Sequence, residues 1–150
     1  GFAEFFETVD ALVMGRNTFD LVRTFDTWAY GDKPVIVLSS REVDIPEEWR
    51  KTVEWMNGSP SEVVKRLEGR GMRHIYVDGG VTIQRFLAEG LIQRIIITRL
   101  PILIGRGIPL FGPLPRDIRL RHVETKVYPN GFVKSEYEVL GNGAAAGAGV

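Results

Sequence analysis

The sequence predicts a three-layer α/β fold, a mixed and mainly parallel sheet with helices on both faces and a C-terminal antiparallel hairpin. Three observations predict it. Short apolar runs alternate with segments of helical periodicity from Phe2 to Ile97. The runs themselves are apolar on both faces, as in buried parallel strands. After Leu120 the pattern becomes strand-like alternation around Pro129-Asn130-Gly131, a hairpin turn.

Each element has a local reason. Phe2, Phe5, Phe6 and Val9 fall at helical spacing, so a short amphipathic helix leads. Asp10 breaks it, and Ala11 to Met14 reads as a buried strand. Asn17 is then the expected N-cap of a helix burying Phe19, Val22 and Phe25. Asp26 to Asp32 is a loop, and Val35 to Leu38 a third apolar segment introduced by Pro34. Val53 to Met56 is a weaker strand. Ser59, Pro60 and Glu62 form a complete helix start with a capping box, followed by core-facing Val63, Val64 and Leu67 and closed by Gly69.

Ile75 to Val77 runs into Asp78-Gly79-Gly80. A helix with Ile83, Phe86 and Leu87 on one face follows and stops at Gly90. Ile95, Ile96 and Ile97 are too apolar to be anything but a central strand. Gly105-Arg106-Gly107 marks a turn between extended segments. The alternation from Ile118 to Val127 slips phase near Arg121 and His122, which predicts a β-bulge. Residues 141–150, rich in glycine and alanine, are expected to be a flexible tail, leaving residues 1–140 as the folded domain.

Composition narrows the function. The 19 basic and 19 acidic residues cancel, which argues against a nucleic-acid or membrane-surface binder. The absence of cysteine excludes disulfides, thiolate metal sites and a cysteine nucleophile. His74 and His122 lack ligand-like spacing and read as ordinary strand residues, so no metal site is expected. No apolar run approaches the ~20 residues that span a bilayer, and no signal peptide is visible, so the expected location is the cytoplasm.

Chemistry concentrates where strands end. Gly15-Arg16-Asn17-Thr18 joins a strand to a helix, with a guanidinium and a hydroxyl beside a glycine. Leu38-Ser39-Ser40-Arg41 supplies two hydroxyls and a planar fork suited to a phosphate monoester. Asp78-Gly79-Gly80-Val81-Thr82 is a strand–glycine–helix junction where backbone amides can approach an anion. Any one of these is also a plain capped turn. Three at equivalent ends of one parallel sheet point to a phosphate-rich ligand of dinucleotide size.

These motifs, with Ile97-Thr98, come in the order and approximate spacing of the dihydrofolate reductase fold. The segment from Pro101 to Phe111, PILIGRGIPLF, is similar to that of the riboflavin-pathway relatives, the C-terminal pyrimidine-reductase domain and related bacterial proteins. The resemblance covers nearly all of residues 1–140. It implies a reductase that transfers a hydride from NADPH to a small pyrimidine- or pterin-like heterocycle. Residues Gly15, Arg16, Asn17 and Thr18 would hold the pyrophosphate and adenosine side. Leu38, Ser39, Ser40 and Arg41 would meet the ribose 2′-phosphate, and Asp78, Gly79, Gly80, Val81 and Thr82 would cradle the pyrophosphate. In relatives a cis bond between the glycines permits that approach. Thr98 would sit near the substrate ring.

The resemblance also implies a homodimer. Two features depart from it. The family opens with a central strand and a substrate loop, so a longer natural protein is expected. The carboxylate that dihydrofolate reductases carry in their first helix would fall before Gly1, which leaves the catalytic residue unassigned. The alternative reading is therefore a non-catalytic nucleotide-binding or scaffold domain that kept the fold.

Overall fold

The computed structural model describes residues 2–141 and 147–149, the side chains of Phe2, Ala3 and residues 147–149 excepted. Among the described residues four helices and eight strands follow in this order: α1 (Phe2–Glu7), β1 (Ala11–Gly15), α2 (Arg16–Val22), β2 (Val35–Leu38), β3 (Val53–Met56), α3 (Pro60–Gly69), β4 (His74–Asp78), α4 (Gly80–Ala88), β5 (Arg94–Arg99), β6 (Leu120–Val127), β7 (Val133–Val139) and β8 (Gly147–Gly149), with a 3₁₀ turn at Glu47–Trp49. The sheet order is β3-β2-β1-β4-β8-β5-β7-β6. The first four strands in that order are parallel, and β5, β7 and β6 form an antiparallel ladder.

Local sequence explains most of this. β1 and β2 are buried through Ala11 to Met14 and Val35 to Leu38, because parallel strands here have helices on both faces. One core layer joins Val13, Ile36, Ile75, Val77 and Ile95 to α3 and α4 through Val63, Leu67, Ile83 and Phe86. The opposite layer joins Leu12, Met14, Val35 and Val37 to Phe19, Tyr30 and a group of aromatic rings. There Trp28 stacks on Trp49 with centroids 4.7 Å apart. The Ser59 hydroxyl accepts from the Glu62 amide at 3.2 Å, and the Glu62 carboxylate accepts from the Ser59 amide, completing the expected capping box.

Several sequence expectations are corrected. Asn17 does not cap α2, which starts at Arg16 with extended Gly15 as its N-cap and no side-chain cap. The chain turns directly at the end of β1, so Asn17 falls inside the first helical turn. Phe25 lies past the end of α2 and is exposed, because the helix stops before its periodicity reaches that residue. β5 is buried on the Ile95 side only; Ile96 is half-buried. Ile118 precedes β6, whereas the expected bulge is present, with its register shift between His122 and Glu124. Gly69 is the last helical residue, and the left-handed turn comes at Gly71 with φ +81°.

The Gly- and Ala-rich end of the chain is the largest difference. Residues 147–149, expected within a flexible tail, form β8, which pairs in parallel with β4 and meets β5 at Arg94 and Gly149. The exposed backbone edges of β4 and β5 explain this, since each buried amide and carbonyl there needs a partner. Residues 142–146 and Val150 lie outside the described set.

Candidate functional site

The strands that carry the three turns are neighbours. β1 lies between β2 and β4, with Gly15 beside Leu38 and Met14 beside Asp78. Parallel neighbours sit roughly 5 Å apart, so residues 15–18, 39–41 and 78–82 leave one sheet edge within about 10 Å of each other. Thr98, exposed and next to last in β5, lies at the same edge, two strands from β4. Sequence-distant motifs thus converge because parallel topology puts every carboxyl end on one side.

Two of the turns interlock. A Cβ on Gly15 would lie 2.7 Å from the Thr82 hydroxyl, and a Cβ on Gly79 would lie 2.6 Å from the Thr18 hydroxyl. Each junction therefore presents a glycine to the threonine of the other. The spacing is the same in both, Gly-x-x-Thr in residues 15–18 and 79–82. Gly79 also adopts φ +95°, a conformation only glycine takes without strain. The expected cis bond is absent: the described residues contain no cis peptide. These two glycines thus serve the packing of the junctions.

At Gly80 a Cβ would be in ordinary van der Waals contact with the Pro109 and Leu110 carbonyls, at 3.9 Å. The Gly79 amide is engaged, donating to the Asp78 carboxylate at 2.8 Å. The first intrahelical bond of α4 runs from the Ile83 amide to the Gly79 carbonyl. A helix start leaves the preceding amides, here Gly80, Val81 and Thr82, without intrahelical acceptors. Gln84 ties the overlying loop down, its amide donating to the Pro109 and Leu110 carbonyls at 3.4 and 3.3 Å. Sequence reasoning missed Gln84 because the contact joins segments 25 residues apart.

The second turn is shaped from behind. The Trp55 indole donates to the Ser39 carbonyl at 3.0 Å, and the Arg41 amide donates to the Ser39 hydroxyl at 3.2 Å. The Ser39 hydroxyl keeps its own proton to donate elsewhere. Ser40 and Arg41 are exposed, and Arg41 has no ion pair among the described residues. Arg16 is weakly held by Asp20 at 3.7 Å, both half-exposed, a pairing worth ~0–1 kcal/mol that an incoming anion can displace.

Asp78 is the electrostatic exception, a carboxylate at an edge otherwise suited to anions. Burial raises its pKa above the ordinary value, opposed by the Gly79 amide. Strand alternation places it on the Tyr76 side of β4. Burial pushes the Tyr76 phenol up to about 12, with Asp78 adding to the effect, and Tyr30 shifts the same way. The result is a half-buried acid among neutral phenols. Among the described residues no His, Cys, Asp or Glu cluster could hold a metal ion, and no helix is long and apolar enough to cross a membrane.

The mixed sheet and the edge built from residues 15–18, 39–41 and 78–82 define a dihydrofolate-reductase-like α/β domain. The profile of the RibD C-terminal domain matches residues 2–134, and the chain belongs to that family. It is 30% identical over 130 residues to the uncharacterised Bacillus subtilis (strain 168) protein YwjB, covering 85% of this chain and 73% of that protein. A solved structure named as a riboflavin biosynthesis protein, from Shewanella sp. PV-4, is similar at TM-score 0.88 and 41% identity, over 93% of this chain and 78% of that one. A Thermotoga maritima diaminohydroxyphosphoribosylaminopyrimidine deaminase/5-amino-6-(5-phosphoribosylamino)uracil reductase shares the fold at TM-score 0.70 and 12% identity, over 91% of this chain and 48% of the other.

Proposed function

We propose that this protein is an NADPH-dependent reductase that transfers a hydride to a small pyrimidine- or pterin-like heterocycle, of the riboflavin-pathway type, and works in the cytoplasm as a homodimer. The observation that carries this reading is the adjacency of β2, β1 and β4, which gathers three anion-suited turns on one edge. Family membership supports the same class of chemistry.

The donor set fits a pyridine dinucleotide phosphate. The Gly80, Val81 and Thr82 amides would hold the pyrophosphate at the start of α4. Ser39, Ser40 and Arg41 would hold the 2′-phosphate, Arg41 as a charge-assisted fork. Arg16, Asn17 and Thr18 would line the adenosine side, and Thr98 the substrate side. NADPH supplies the hydride; the chain supplies placement and electrostatics. In this reading Asp78 positions the turn by accepting from the Gly79 amide.

Thermal denaturation with each cofactor tests the proposal. NADPH at about 100 times its Kd should stabilise the fold by roughly 2.7 kcal/mol, with NADH well behind. Arg41→Ala should lower NADPH affinity by roughly tenfold to a hundredfold and leave NADH nearly unaffected, matching the loss of a charge-assisted contact. No shift with either cofactor would defeat the reading. Binding without turnover of any pyrimidine or pterin would favour a non-catalytic nucleotide-binding domain.

A further inference from the structure

Three asparagines of the chain, Asn57, Asn130 and Asn142, each precede a glycine. That pair is chemically labile. With no Cβ on the second residue, its backbone nitrogen can approach the asparagine carboxamide carbon, and asparagine is among the thermolabile residue types. Asn142 lies outside the described residues, which leaves Asn57 and Asn130 to compare.

The two are held differently. Asn130 sits in the turn between β6 and β7, where the Gly131 amide donates to the Tyr128 carbonyl at 2.9 Å. The Asn130 carboxamide oxygen accepts from the Phe132 amide at 3.1 Å. Both reacting groups are therefore engaged. Asn57 directly follows β3 and is exposed. Among the described residues neither its carboxamide nor the Gly58 amide has a hydrogen-bond partner.

A cation adds to the difference. The Arg66 guanidinium donates to the Asn57 backbone carbonyl oxygen at 3.4 Å. That oxygen and the Gly58 nitrogen belong to one peptide unit. Positive charge on the oxygen favours the form in which the nitrogen has lost its proton, and that form is the nucleophile. Glu62 lies on the other side of Gly58, where a Cβ would stand 3.4 Å from its carboxylate. That carboxylate is already shared with the Ser59 amide.

We infer that Asn57 is a self-modifying site, converting to aspartate and isoaspartate with Arg66 as its activator. The Gly58 nitrogen gives its proton to solvent base and attacks the side-chain carbonyl carbon of Asn57. A nitrogen–carbon bond forms, the carboxamide carbon–nitrogen bond breaks, and the leaving nitrogen takes up a proton as ammonia. Water then opens the cyclic imide. Attack at the side-chain carbonyl gives aspartate, and attack at the backbone carbonyl gives isoaspartate. Either product sets a carboxylate near residues 39–41. The Met56 carbonyl accepts from the Ser39 amide at 3.1 Å, and neighbouring strands sit roughly 5 Å apart. The new charge would oppose a 2′-phosphate there, and only this consequence rests on the cofactor proposed above.

Peptide mass mapping of the folded whole chain, held in mildly alkaline buffer at physiological temperature, tests the site. Aspartate and isoaspartate should build up at position 57 roughly tenfold faster than at 130, where a hydrogen bond must first be given up. In urea the two rates should draw together. Arg66→Ala should slow conversion at 57 roughly fivefold and leave 130 unchanged, and Arg66→Lys, which keeps the cation, should recover part of the loss. Equal rates at the two positions in the folded chain would overturn the inference. So would an Arg66→Ala protein that converts at 57 at the full rate. The aged protein and Asn57→Asp should each bind NADPH roughly threefold more weakly than fresh protein at low salt, with less difference at high salt. Unchanged affinity would overturn the charge effect. A chain that converts at 57 and binds no NADPH would support the inference and defeat the cofactor proposal instead.

Discussion

A glycine at a strand end can make room for a ligand or for another side chain, and Gly15 and Gly79 separate the two uses. Gly15 has an ordinary φ of −78°, so its requirement rests on the Thr82 hydroxyl alone. Gly15→Ala should destabilise by about 1–3 kcal/mol, the usual range for overpacking, and should recover most of that loss when Thr82→Ala is added. Gly79→Ala adds a left-handed backbone penalty of ~1–2 kcal/mol, so Thr18→Ala should rescue it only in part. Urea unfolding of both cycles measures this, and additive losses would remove the interlock. Asp78 gives a second test at this scale. Its folded pKa is raised, so stability is fully present below the ordinary carboxylate pKa and is lost as pH rises through the folded value. Asp78→Asn keeps the acceptor for the Gly79 amide and removes the charge. Melting temperature should therefore rise near pH 7 and stay level near about pH 3, where the acid is protonated in both states. An equal shift at both would mean that ionisation is irrelevant.

Elements whose causes are local were readable from the chain. α3 is specified by Ser59, Pro60 and Glu62 within four residues, and the structure reproduces each bond. Ser59→Ala should lower stability by about 1 kcal/mol, the normal worth of a cap, measured by thermal or urea denaturation. An unchanged midpoint would mean that tertiary packing alone holds α3. The start of α2 was misread because Asn17 is a good cap by chemistry, while the actual boundary is fixed by where β1 ends. β5 was misread for a related reason. Three consecutive isoleucines signal burial on both faces, but among the described residues only the edge of α1 reaches the Ile96 side of the β5-β7-β6 ladder. The turn motifs at residues 15–18, 39–41 and 78–82 could be read as anion-suited from composition. Their reciprocal Gly-x-x-Thr packing could not, since it exists only once β1 and β4 are known to be neighbours.

At the scale of the whole molecule the sheet has two halves, four parallel strands and three antiparallel ones, and β8 is the backbone link between them. Its register pairs His74 with Gly147, Ile75 with Ala148 and Tyr76 with Gly149, and Arg94 with Gly149 on the other side. The side-chain core also crosses this seam, since Ile75 and Val77 share a cluster with Ile95 and Phe86. Removing the strand should therefore weaken the fold without abolishing it. A chain ending at Gly141 would leave the facing edges of β4 and β5 without those bonds. At a net 0.5–1.5 kcal/mol for each backbone hydrogen bond, the loss comes to roughly 2–4 kcal/mol. Thermal melting of the full and shortened chains should show a lower but still cooperative transition for the shorter one, with hydrogen exchange faster at Ile75 and Tyr76. Identical melting curves and identical exchange at β4 would instead return residues 141–150 to the solvated tail that their composition suggests, with the two halves held together by side-chain packing alone.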